Sequence, residues 1–288
     1  MSRQALREGV ARWLFAAAAA ISILAVALIC LFLFANGVPA MAQIGLPDFL
    51  LGTTWKPGSD MYGIFPMIVG SLYVTAGAIV VGVPAGILTA IFLSRFANAS
   101  IARLLKPAVE LLAGIPSVVY GLVGMLVLVP GIRKVFHLAD GASLLAAIIV
   151  LAIMILPSII KVSVTALEAV PPEYEDASLA LGATPIETYF KVSVPAAKSG
   201  IAAAVVLGVG RAIGEAMAVM MVSGNVPNMP TLFQSVRFLT TAVASEMSYS
   251  GGLQRQALFS IALVLFLFIM LINATLNFFL KRNKEGDK

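Results

Sequence analysis

The chain has little charge and almost no sulfur or imidazole with which to do chemistry. Of its 288 residues only 11% are Asp, Glu, Lys or Arg, and it has one cysteine and one histidine. Cys30 sits inside the first apolar run, so no intrachain disulfide is possible. His137 has no Cys or His companions, and no H-E-x-x-H occurs, which makes the chain a poor candidate for a metalloenzyme. No G-x-x-x-x-G-K-[ST] occurs either, so the chain cannot bind and split ATP through a P-loop. There is no internal repeat, and no low-complexity segment beyond the alanine run at 16–20. What is abundant is apolar sequence, 60% of residues with a mean hydropathy of +1.00. A soluble domain of this size needs far less, so the chain is read as an integral membrane protein.

Six stretches meet the length of about 20 apolar residues that a spanning helix needs: 13–35, 66–93, 108–130, 142–161, 198–222 and 257–280. The expected fold is therefore all-α, a polytopic bundle of six transmembrane helices forming one domain over 1–288. The first run follows Arg3, Arg7 and Arg12 but is longer than a signal-peptide core, so it is read as a retained helix. Six spans put both termini on one side. Thirteen Lys and Arg fall on that side and five on the other, with Arg211 inside a span. The positive-inside rule then makes both termini and the 161–198 segment cytoplasmic. The net charge of +5 follows from this distribution, and no basic patch points to nucleic acid.

The 161–198 segment is the most informative polar stretch. Glu173, Glu175 and Asp176 precede Ala and Leu, which suits a helix N-terminus. Gly182 is a natural stop, and Pro185 can open a second short helix ending before Pro195. The product is a helix-turn-helix knob with Leu179, Leu181, Ile186 and Phe190 on an apolar face. An exposed apolar face implies docking; a loop folded back on its own bundle would share the pattern, and pattern alone leaves the two equal. Within the spans, Gly82 with Gly86 and Gly210 with Gly214 have the small-xxx-small spacing of close helix packing, implying a tight bundle and a second membrane subunit. Pro84 and Pro116 are expected to kink or break their helices. The outer loops at 36–65 and 223–256, rich in Gly, Pro and aromatics, suit compact order and contact with an external partner, or simple connection.

Arg211 and Glu215 lie in the fifth span. Arg211 is about 20 Å along the helix from Lys198, near mid-bilayer, where an arginine costs about 2.5–3.5 kcal/mol unless paired or facing water. Glu215, at i+4, can pair with it, although Arg preceding Glu is the weaker order. The pair either holds a polyanion such as phosphate, by a bidentate contact to the guanidinium, or staples helices together. Glu110 opens the third span close to its boundary, where a carboxylate stays hydrated. Ser117 and Tyr120 can offer neutral hydrogen bonds to an ion, or bond to neighbouring backbone.

Asp176-Ala177-Ser178, three residues, Gly182, then Val192, Val194 and Pro195 resemble the EAA loop of ABC-importer permeases, with Asp in place of Glu and Ser in place of Ala. Nearly the whole chain resembles PstC-type permease subunits of bacterial phosphate importers, in the MetI-like family of binding-protein-dependent inner-membrane components. The carriers are Gly52-Thr-Thr-Trp-Lys-Pro57, Tyr62-Gly-Ile-Phe-Pro66, Glu110 to Gly121 and Gly210-Arg-Ala-Ile-Gly-Glu-Ala-Met-Ala218. The resemblance implies a type I importer permease fold with a cytoplasmic coupling loop at about 168–198, carried by Glu175, Asp176, Ala177, Ser178, Gly182, Val194 and Pro195. It implies a substrate pathway through Arg211, Glu215, Glu110 and Ser117, and a place in the bacterial inner membrane. It implies a second permease (PstA-like), an ATPase dimer (PstB-like) that binds the ATP and magnesium, and an external phosphate-binding protein (PstS-like). No cofactor is expected in this chain, which is read as a transport subunit without its own ATPase site. A permease for sulfate or molybdate would share the loop but need not share Gly-Arg-Ala-Ile-Gly-Glu. A secondary transporter carrying protons on Glu215 or Glu110 would leave the knob without a purpose, and a membrane enzyme has no catalytic cluster to support it.

Overall fold

In lipid a backbone has only itself to bond to, so long apolar runs become helices. A computed structural model describes residues 3–285, and their side chains from Gly9 onward apart from residues 276, 277 and 279–285. The basic side chains of Arg3, Arg7, Lys281, Arg282 and Lys284, and Lys288 itself, lie outside the described residues. The chain opens with α1 (Arg3–Ile44) and a short α2 (Leu46–Leu51). A hairpin of β1 (Trp55–Lys56) and β2 (Met61–Tyr62) leads into α3 (Phe65–Ile91). Then come α4 (Ala99–Gly114), α5 (Ser117–Val123), α6 (Val129–Val135) and α7 (Leu144–Glu168). The knob is α8 (Pro172–Ala180), α9 (Pro185–Thr188) and α10 (Val194–Ala196). It is followed by α11 (Lys198–Gly214), α12 (Met217–Val222), α13 (Leu239–Glu246) and α14 (Gly252–Glu285). Among the described residues five helices are long and apolar enough to cross a membrane, or six if one bent pair counts as a span.

Two expected spans are corrected. The third does not run over 108–130: helix α4 ends at Gly114, Ile115 is extended before Pro116, and the apolar helix runs over Ser117–Val135 with a wide turn at Gly124–Leu128. A residue before proline is driven out of the helical region, and α4, with Arg103, Lys106 and Glu110, is too charged to share the span. Pro84, by contrast, leaves α3 unbroken. The fifth span is not continuous over 198–222: α11 stops at Gly214, Glu215 is extended (φ −73°, ψ 130°), and α12 restarts at Met217.

Helix α7 is the axis of the bundle. Its buried face, including Ala147, Leu151, Ile155 and Ile159, packs between α3 and α11. The approach of α3 depends on absent side chains: a Cβ on Gly82 would stand 2.8 Å from Ile155 and one on Gly86 2.8 Å from Ile159. We expect Gly86→Leu to force this seam apart at a cost of about 1–3 kcal/mol or more. The check is the yield of monodisperse protein, with Gly131→Leu, whose Cβ meets nothing within 4 Å, as the tolerated control.

The expected outer loop at 223–256 turns inward over part of its length. Phe238 and Leu239 are fully buried, and the Leu239 amide donates to Ser71 Oγ of α3 at 3.0 Å. Glu246 gathers this end of the bundle. It pairs with Arg237 and accepts from Trp55 Nε1 at 3.2 Å and Gln254 Nε2 at 3.0 Å, joining hairpin, α13 and α14.

Candidate functional site: a mid-membrane arginine and an exposed knob

The break after Gly214 decides what the two intramembrane charges do. A continuous helix would stack Glu215 one turn beyond Arg211; the break sends them to different partners. Arg211 Nη1 donates to Ser158 Oγ of α7 at 3.1 Å. Glu215 Oε1 accepts from the Ala218 amide at 2.9 Å, satisfying an orphan donor in the first turn of α12, and the Glu215 carbonyl, freed by the break, accepts from Thr240 Oγ1 at 2.9 Å. The expected Arg211–Glu215 ion pair is not formed. Among the described residues no carboxylate lies within ion-pair distance of Arg211. The guanidinium is half-buried, with Ser158 as its hydrogen-bond partner.

The other residues expected to meet an ion have partners of their own or lie at helix starts. Ser117 is half-buried at the start of α5, beside the Pro116 break, and α5 packs on α12. Tyr120 donates across that break to the Leu112 carbonyl at 2.8 Å, so its hydroxyl serves the backbone. Glu110 belongs to α4, not to a span. Its carboxylate stands 3.4 Å from Lys161 Nζ with both side chains about 60% exposed, and the neighbouring Lys106–Glu168 pair repeats the α4–α7 bridge. An apolar groove of about 540 Å³ lies between α5, α6 and α7, but its lining, including Val119, Val123, Val127 and Ile153, offers an ion nothing.

The knob forms from local rules. After α8, Gly182 takes φ +88°; its amide bonds to Leu179 O and the Ala183 amide to Ser178 O, the paired closure of a helix C-terminus. Thr184 and Glu187 then form a reciprocal cap that starts α9. The Thr184 amide and hydroxyl, with Lys191 beyond them, hold the Glu187 carboxyl below its ordinary range. The second arm was expected to end before Pro195 but runs to Ala196: after a wide turn at Tyr189–Ser193 a fresh first turn begins, where the missing N–H of proline is not needed. It meets α11 at 71°. Leu181 is 90% exposed, and Leu179, Ile186 and Phe190 are exposed beside it, so the apolar face is not folded back on this chain.

The loop residues divide. Asp176 and Ala177 face outward, as does Pro195, while Val194 is half-buried. Ser178 Oγ meets buried Thr188 Oγ1 at 2.9 Å, joining the two arms. Glu175 turns inward, 2.7 Å from Arg95 and accepting from Ser193 Oγ at 2.7 Å, while Arg95 also donates to the Leu167 carbonyl at 2.7 Å. The knob is thereby wired to the ends of α3 and α7. Glu175→Ala strands a largely buried guanidinium at a cost of about 3 kcal/mol. The expected result is a lower melting temperature of the purified protein and weaker transport, with Arg95→Ala in the same background adding little.

Sequence reasoning missed Ser158 and Arg95. Ser158 had a signal, being the one polar residue between Leu144 and Ile160. Arg95 had none, because its partner is far along the chain.

Long helices that bury small-residue seams against one another, with an outward-facing helix-turn-helix tied to their ends, are the build of a membrane transport subunit. The chain belongs to the family of binding-protein-dependent transport system inner membrane components, whose model matches residues 82–284. It is similar to the probable ABC transporter permease protein YqgH of Bacillus subtilis, 41% identical over 91% of this chain and 88% of that protein. It is also similar to the phosphate transport system permease protein PstC of Pasteurella multocida, 35% identical over 84% of this chain and 82% of that protein. PstC of Haemophilus influenzae is 35% identical over 78% of each. The fold matches a chain of the MetNI methionine ABC transporter with a TM-score of 0.58 at 21% identity, covering 80% of this chain and 99% of that one.

Proposed function

We propose that this chain is the phosphate-conducting permease subunit of an ATP-driven importer. The observation that carries the reading is Arg211: an arginine about 20 Å into a membrane helix, held by the neutral Ser158 with no carboxylate among the described residues to cancel it. A charge kept there at a cost of about 2.5–3.5 kcal/mol calls for an anion that neutralises it in passage. The guanidinium fork suits a tetrahedral oxyanion. Relatives named as phosphate permeases favour phosphate among such anions.

In this reading both termini and the knob are cytoplasmic. The exposed Leu179, Leu181, Ile186 and Phe190, with outward-facing Asp176, form the surface that an ATPase subunit seats, and Mg-ATP binds only to that subunit. Closure of the ATPase pair pushes the knob, and the Arg95–Glu175 tie passes the movement into α3 and α7. A second permease subunit completes the pathway, and an external phosphate-binding protein delivers the ion to the opposite end. Neither ATP hydrolysis nor any other catalytic step is assigned to this chain.

The test is uptake of labelled phosphate at micromolar concentration in the native host, with and without the gene, before and after a protonophore. Gene-dependent uptake that survives the protonophore while ATP is maintained is expected. Collapse with the proton gradient would mean a secondary transporter, and unchanged phosphate uptake would mean another anion.

A further inference from the structure

Ser158 is placed oddly for a helical serine. In α3 and α7 the hydroxyls of Thr89 and Thr165 bond back to the carbonyls of Ala85 and Lys161 four residues earlier, the ordinary way to satisfy a hydroxyl in a membrane helix. Ser158 makes no such bond. Its oxygen accepts from Arg211 Nη1, and its own hydrogen has no protein acceptor among the described residues. The contact is not accidental in register. One turn before Arg211, Gly208 lies so close to Ile159 that a Cβ on it would stand 2.8 Å from the isoleucine side chain, which brings α11 down onto α7 where Ser158 is. By contrast, a Cβ on Gly210 or Gly214 would meet nothing within 4 Å, so the close approach to α7 is made at Gly208 and not along the whole helix end.

We propose that Ser158 is a positioning residue for anion passage: it fixes the Arg211 guanidinium at the α11 break without neutralising it. One N–H is spent on the serine, and the rest of the fork is left for the anion. A carboxylate at the same place would hold the arginine as firmly but cancel its charge, and an apolar residue would leave it unheld. Selection of a neutral acceptor therefore separates orientation from neutralisation. The inference rests on the reading of Arg211 as the anion-binding charge.

The experiment uses the whole transporter in proteoliposomes with its binding protein, ATP inside and labelled phosphate as probe. Phosphate uptake and binding-protein-stimulated ATP hydrolysis are measured together. Ser158→Ala should lower phosphate moved per ATP by about tenfold, the scale of one hydrogen bond to a charged group. Ser158→Thr, which keeps the oxygen, should restore it, and Ser158→Asp should abolish uptake by capturing Arg211 in an ion pair. If the alanine variant does not assemble, Ser158→Cys, nearly the same size and a weak acceptor, should show the same loss. Normal coupling in the alanine or cysteine variant overturns the proposal, as does failure of threonine to rescue or full transport by the aspartate variant. Arg211→Gln is run beside them: if it abolishes uptake while Ser158→Ala does not, only the role of Ser158 falls. If Arg211→Gln also transports normally, the underlying reading falls with it.

Discussion

Arg211→Gln is expected to abolish phosphate uptake while the subunit remains assembled in the membrane. The two halves of that result come from different terms. An oxyanion held by a guanidinium fork has two charge-assisted hydrogen bonds, each about 1.5–3 kcal/mol, so removing the fork should slow passage by about a hundredfold or more. The same substitution removes a charge that costs about 2.5–3.5 kcal/mol at mid-membrane, and leaves only Ser158 without its donor. Stability is therefore expected to hold or rise. Uptake and the amount of intact complex, measured on the same membranes, separate the alternatives. Loss of the protein itself would assign Arg211 to holding α11 against α7, and full uptake would remove it from the pathway. Arg211→Lys keeps the charge but not the planar fork, so partial uptake is expected, with hydrolysis less well coupled to transport.

The apolar runs showed where the helices are, because in lipid a long unbroken apolar segment has only one way to satisfy its backbone. They did not show where helices break. Pro116 announced one break, and its consequence, moving Glu110 out of the span, follows from the charges of α4. The second break, after Gly214, was hidden by the i,i+4 spacing of Arg211 and Glu215, which reads as a pair only if the helix is assumed continuous. The Ala218 amide and the Thr240 hydroxyl, each bonded to Glu215, show why the chain tolerates that break: the groups it exposes are met at once. Contacts between distant segments left no periodic trace. Arg95 with Glu175 and Trp55 with Glu246 join residues that no spacing rule connects, and Phe238 is buried from a stretch whose prolines and glycines resemble those of any loop. The knob was legible because its rules are local: carboxylates at a helix start, a glycine stop and a proline that opens the next short helix.

Gly182→Trp is expected to leave the chain folded and uncouple it from its ATPase. The backbone at 182 has φ +88°, a region that costs a residue with a Cβ about 1–2 kcal/mol. That strain falls on one turn of the knob and is small against the packing of α3, α7 and α11, so the bundle should survive. The side chain itself meets no obstacle within this chain, since a Cβ at 182 has nothing within 4 Å. The indole therefore projects from the knob beside Leu181, on the surface proposed for docking. Strain and obstruction are separated by Gly182→Asn, because asparagine tolerates the left-handed region and adds little bulk. Asparagine should retain most transport; tryptophan should lose both uptake and binding-protein-stimulated ATP hydrolysis while the protein stays at its normal level. Equal loss in both variants would make turn geometry the limiting feature, and normal assembly and uptake with tryptophan would mean that this face of the knob is not where the ATPase binds.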